Sequence, residues 1–217
     1  MKLKIAVVVL LIYAGTSTGC FSPSPDRNSP TANPATTQAS RASTSNPAKI
    51  TGSSFQEDAA GDVRDGNHRK PSQKLPGIDL TRVSIEAVES DLKITYTSGS
   101  DFPVSAPSDE SAVWEVTACT PDGSRCCMLG AKIIGAEWKT HVFTLEPAYN
   151  VYAGTSLIRG RELVVSIPQD KLPEWMGRPF TWWADSEWNG NWSDRVPDEG
   201  KEILSSPSVP FPNGVNK

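Results

Sequence analysis

The residues best equipped for chemistry lie between positions 180 and 200, in FTWWADSEWNGNWSDRVPDEG, which holds four of the chain's seven Trp and five carboxylates. Sugars present C–H faces that stack on indole rings, and carboxylates and amides accept bonds from the hydroxyls. Trp183, Trp188 and Trp192, with Asp185, Glu187, Asn189 and Asn191, have that combination. The competing reading is structural: rings in loops close the open end of the fold, and their N–H groups bond to loop carbonyls. Trp182 alternates with Trp183 and is assigned to the core.

A second group lies early in the chain. Asp58, Gly61, Asp62, Asp65 and Gly66 crowd one turn region. Asp and Gly are what tight turns require, and closely spaced carboxylates also suit a hard cation such as Ca²⁺. The spacing is not that of an EF-hand loop. A third group is Cys119, Cys126 and Cys127. The first two flank TPDGSR, whose Pro-Asp-Gly marks a turn. Opposed hairpin positions bring Cα atoms within disulfide reach, so Cys119 is expected to pair with Cys126 or with Cys127 one residue along. Metal binding by these cysteines is not expected, because no second CxxC or partner His is near.

Catalytic patterns are missing from the sequence. There is no G-x-S-x-G, H-E-x-x-H or P-loop. Asp185 with Glu187, or Asp194 with Asp198, could form a glycosidase pair, but nothing in the sequence sets their separation. His68 and His141 lie in polar surroundings. The expectation is a protein that is not an enzyme.

The elements that must position these residues start with the leader. Lys2 and Lys4 precede an unbroken apolar run from Ile5 to Tyr13, too short for a permanent span. Ser17-Thr18-Gly19 before Cys20 reads as a signal-peptide cleavage site, covering residues 1–19. Residues 20–54 are rich in Ser, Thr, Pro, Asn and Ala, cannot offset chain entropy by burial, and are expected to form a flexible, disordered tether. Residues 55–204 alternate apolar and polar positions with period two. Strands are expected over Val83–Ala87, Leu92–Tyr96, Ala112–Ala118, Met128–Ile134, His141–Leu145, Tyr149–Ile158 and Arg161–Ile167, and in the segment starting at Phe180. Short strands, frequent turns and no long helical period indicate an all-β chain, an antiparallel β-sandwich of jelly-roll type. Residues 205–217 are left as a tail.

The net charge of −4 falls to −6 (19 basic against 25 acidic residues) once the leader and its two lysines are removed. Scattered charge with an acidic balance argues against a nucleic-acid partner, which needs a basic face.

Two resemblances follow. A Cys directly after small residues resembles the lipobox of bacterial lipoproteins, although Ser17 stands where Leu is usual. That implies diacylglycerol on the Cys20 sulfur and attachment to the extracytoplasmic face of a membrane. F-x-x-D-x-x-G-D-V (Phe55 to Val63), I-D-L (Ile78 to Leu80), Ile167-Pro168, and F-x-W…D-x-x-P-D-x-G (Phe180 to Gly200) together resemble the DOMON-like sandwiches, which include the family 9 carbohydrate-binding modules. The resemblance spans about residues 55–204. It implies that the first and last segments lie together, with Asp58, Asp62, Asp194 and Asp198 as neighbours of a structural calcium. Haem-binding members use Met or His ligands, and no such axial arrangement is recognisable here. The expected function is a membrane-anchored, non-catalytic binding module, for carbohydrate or a related polar ligand. The alternative is a structural or protein-interaction lipoprotein of the cell envelope.

Overall fold

The computed structural model describes residues 49–67, 69–72, 74–144, 148–197 and 209–211. Cys20, the leader, most of the tether, His68 and Asp198 lie outside the described residues. Two antiparallel sheets pack face to face, as the period-two alternation requires.

The smaller sheet contains β1 (Ser53–Glu57), β3 (Leu80–Val88), β4 (Asp91–Ser98), β9 (Thr155–Arg159) and β10 (Glu162–Pro168), in the order β1-β3-β4-β10-β9. The larger sheet runs β2 (Arg64–Asp65), β12 (Trp192–Val196), β11 (Phe180–Trp188), β5 (Ser111–Cys119), β6 (Cys126–Ile134), β7 (Glu137–Thr144), β8 (Tyr149–Tyr152), and β13 (Val209–Phe211) pairs with the start of β11. Two 3-10 turns, Gln169–Lys171 and Glu174–Gly177, precede β11.

The core lies between the sheets. Val83, Ile85, Leu92, Ile94 and Tyr96 of the smaller sheet face Trp114, Val116, Leu129, Ile133, Phe180 and Trp182 of the larger, and all are fully or almost fully buried. Trp114 stacks on Trp138 with ring centroids 5.2 Å apart, and its indole N–H donates to the Gly77 carbonyl at 2.7 Å. Each buried indole removes about 200 Å² from water, worth about 5 kcal/mol as an upper bound on transfer.

Four differences from the sequence reading have local causes. Tyr149–Ile158 is not one strand. The chain breaks at Ala153-Gly154, and β8 and β9 belong to different sheets. Gly154 has φ +105°, and a Cβ there would run into the Ser166 carbonyl oxygen, so the crossing requires glycine. The strand expected from His141 begins earlier: the turn lies at Gly135-Ala136, and Glu137 already begins β7. The packed body starts before Phe55: Ile50 is buried and its N–H donates to Gln169 Oε1 at 2.9 Å. At the other end, Phe211, in the segment read as a tail, is fully buried and stacks on Phe180 at 4.6 Å.

The disulfide joins Cys119 to Cys126, directly opposed in the β5–β6 register. Cys127, one residue on, points to the other side of the sheet and is buried against Met176. Burial pushes its thiol up and keeps it protonated.

Candidate functional site

The tryptophan-rich segment is not a set of loops. It is the β11–β12 hairpin, turned at Asn189 (φ 53°) and Gly190 (φ 67°). Positive φ at both central positions is what Asn-Gly supplies, and this dipeptide was the signal in the sequence that could have revealed the hairpin.

The hairpin separates the candidate residues by face. Trp188 is on the inner side, only 7% exposed, and its N–H donates to Glu110 Oε2 at 2.8 Å. Trp192 stands opposite it and packs partly against the core. Asn189 is engaged by β5: its Oδ1 accepts the Ser111 N–H at 2.7 Å, and its own N–H donates to the Ser111 carbonyl. The Trp188 N–H and the Asn189 Oδ1 are thus engaged within the fold. Trp183 and Asp185 face outward. The Trp183 N–H donates to Asp185 Oδ2 at 2.9 Å, and Arg195 Nε donates to Asp185 Oδ1 at 2.5 Å, with its guanidinium 5.9 Å from the Trp183 ring.

From there a row crosses the outer face of the larger sheet. The register aligns Arg195, Asp185, Glu115, Gly130, His141 and Tyr152 on five neighbouring strands and the edge strand β8. Trp183, Thr117, Met128, Phe143 and Asn150 form the adjoining row. No side chain fits at Gly130, because a Cβ there would meet the Trp114 carbonyl oxygen. The His141 ring spans the bare position and its Nε2 lies 2.9 Å from Glu115 Oε2. Glu115, His141, Phe143, Asn150 and Tyr152 line a cleft of about 220 Å³. Burial raises the Asp185 carboxyl above its ordinary range, partly offset by Arg195 and Trp183. Burial also raises Glu187, and the charges of Glu115 and Asp185 add to it. The sequence reading missed Glu115, Tyr152 and this use of His141, because the row joins residues up to eighty positions apart.

The carboxylates form a separate cluster. One oxygen each from Asp58, Asp62 and Asp194 lie within 4.8 Å of one another. The 58–62 turn docks on the smaller sheet through the Asp58 N–H and the Thr81 carbonyl, and the Gly61 N–H donates to Asp79 Oδ1 at 2.7 Å. Asp194 lies on the inner face of β12, 4% exposed, where Oδ2 accepts the Leu80 N–H at 2.7 Å and Oδ1 the Arg195 N–H at 3.0 Å. Burial, then the charges of Asp62 and Asp58, raise the Asp194 carboxyl to about 9. Oxygens that share one Ca²⁺ at 2.3–2.6 Å lie at most about 5 Å apart, so this all-oxygen donor set fits a hard dication.

A larger, open cavity of about 620 Å³ lies where Ile50 meets the two 3-10 turns. Its lining combines Leu172, Pro168 and Pro173 with Lys49, Glu89 and Glu174. Among the described residues no helix is long and apolar enough to cross a membrane. Comparison of the chain with protein-family models, curated proteins and solved structures found no match.

Proposed function

We propose that this protein is an exported, lipid-anchored, non-catalytic binding module for carbohydrate or a related polar ligand, bound on the outer face of its larger sheet. The observation that carries this reading is the row from Arg195 to Tyr152, flanked by Trp183 and Phe143. It is a broad, polar, aromatic-edged surface on a rigid sheet. Rings supply stacking area there, while carboxylates, an amide and a guanidinium supply hydroxyl partners. This moves the ligand surface away from Trp188 and Asn189, which are committed to holding the hairpin together.

Glycan-array binding by the full chain tests the reading. Trp183→Ala is expected to weaken saccharide binding at least about tenfold at unchanged fold, as loss of one stacking ring does. A wild-type protein that binds no saccharide, or a Trp183→Ala variant that binds as well as wild type, would overturn it and favour the envelope-interaction alternative.

Cys20 is the proposed lipid attachment point, supported by the leader and by a disulfide that suits an oxidising compartment. Metabolic labelling with a clickable fatty acid should mark the wild-type chain and not Cys20→Ala; label retained in the variant refutes the site.

The acidic cluster is proposed as a structural Ca²⁺ site. Asp58, Asp62 and Asp194 would hold the ion, which would neutralise converging negative charge and fasten the first segment to the last. EDTA is expected to lower Tm by about 5 °C, corresponding to about 2 kcal/mol in a domain of this size. Asp62→Asn should abolish that response, and an unchanged melting curve with EDTA would remove the calcium.

A further inference from the structure

The cleft over Gly130 has a chemistry of its own. At about 220 Å³ it is smaller than the ~300–1,000 Å³ of pockets that take drug-sized ligands, so it admits one ring rather than a folded chain. Its floor is the His141–Glu115 pair, in which the histidine occupies the carboxylate. His141 is buried, and its Nδ1 has no hydrogen-bond partner among the described residues.

Lys132 lines this cleft, and Lys139 lies beside it at the Tyr152 ring. Lys132 Nζ donates to the Tyr152 hydroxyl at 3.0 Å and lies 5.0 Å from the centre of its ring, and Lys139 Nζ lies 5.4 Å from the same centre. Two ammonium groups converge on one exposed tyrosine in a chain whose net charge is −4. Lys139 has Glu137 at 3.1 Å, whereas the contact of Lys132 is the neutral phenol. Lys132 and Lys139 are directly opposed in the β6–β7 register, so an anion at the Tyr152 ring would face two ammonium groups.

We propose that this cleft is a subsite for a pyranose ring carrying a carboxylate, a uronic-acid unit of an acidic polysaccharide. The ring would stack against Tyr152 and Phe143, the carboxylate would face Lys132 and Lys139, and Asn150 would serve the hydroxyls. The proposal rests on the carbohydrate reading above and adds the charge of the sugar and its place on the sheet.

Calorimetric titration of the full chain with a galacturonate oligosaccharide, and with the neutral galactose oligosaccharide of the same length and linkage, tests it. The acidic sugar is expected to bind at least about tenfold tighter, as a charge-assisted contact allows. Lys132→Met keeps the aliphatic stem and should erase the preference, and Tyr152→Ala should weaken both sugars. Raising salt from about 50 to about 500 mM should narrow the gap. Equal binding of both sugars that is lost in Trp183→Ala would overturn the acidic subsite and leave the carbohydrate reading standing. A preference unchanged in Lys132→Met would also overturn it. Binding of neither sugar would end both.

Discussion

Asp122 shows how a single side chain organises its surroundings. In the turn between β5 and β6 its Oδ1 accepts the Thr120 hydroxyl at 2.6 Å, the Ser124 hydroxyl at 2.8 Å and the Ser124 N–H at 3.1 Å. These donors, Thr120 first, lower its carboxyl to about 2. A depressed carboxyl stabilises the fold above its ordinary value and loses that contribution as pH falls through the folded one. The turn should therefore stay ordered at pH 4 and loosen between about 4 and 2. Carbon-detected titration of Asp122 would show it; a midpoint near the ordinary 3.8 would contradict the bonding. Pro-Asp-Gly made the turn readable from the sequence. The partners of His141 were not readable, because Glu115 and Tyr152 meet it only through strand register.

For the elements, the informative junction is the one between β8 and β9. A continuous run of alternating residues looks like one strand, and only the backbone at Gly154 sends its halves to opposite sheets. Gly154→Ala must adopt a positive φ and push against Ser166, and is expected to lose about 2 kcal/mol in denaturant unfolding. A wild-type midpoint in that variant would mean the crossing tolerates a side chain. The opposite holds for β3, β4, β5 and β10, whose apolar positions alternate cleanly and whose facing was legible, because each has one dry and one wet side. The β11–β12 hairpin lies between these cases: alternation fixed the inward face of Phe180, Trp182 and Ala184, and the Asn-Gly turn reverses the chain so that Trp188 and Trp192 face each other.

At the scale of the whole sandwich, the first and last described strands meet. β1 and β13 approach through the Ser54 hydroxyl, which donates to the Pro210 carbonyl at 3.0 Å and accepts the Trp182 N–H at 3.1 Å. β2 pairs with β12, and the acidic cluster spans the same early and late segments. The metal-free chain should carry a defined pH signature. Asp194 holds its proton to about 9, whereas the unfolded chain releases it near 4. The folded state binds more protons between those limits, so stability should fall as pH rises through that window. At the proposed site Ca²⁺ would displace the proton and offset the loss, so its stabilising effect should be larger at about pH 8 than at about pH 5. Thermal melts with and without the ion decide this, and an effect larger at the lower pH would contradict it.

Alternating hydrophobicity, turn dipeptides and cysteine spacing by themselves determined the all-β class, most strand positions and the pairing of Cys119 with one of two neighbours, because these are local properties of a chain with one buried face per strand. Only the tertiary structure decided which of those neighbours it was, which tryptophans are spent on packing, where the ends dock, and which distant carboxylates share a space of a few ångströms. Those outcomes depend on strand order and register, which bring together residues whose separation along the chain carries no trace of their separation in space.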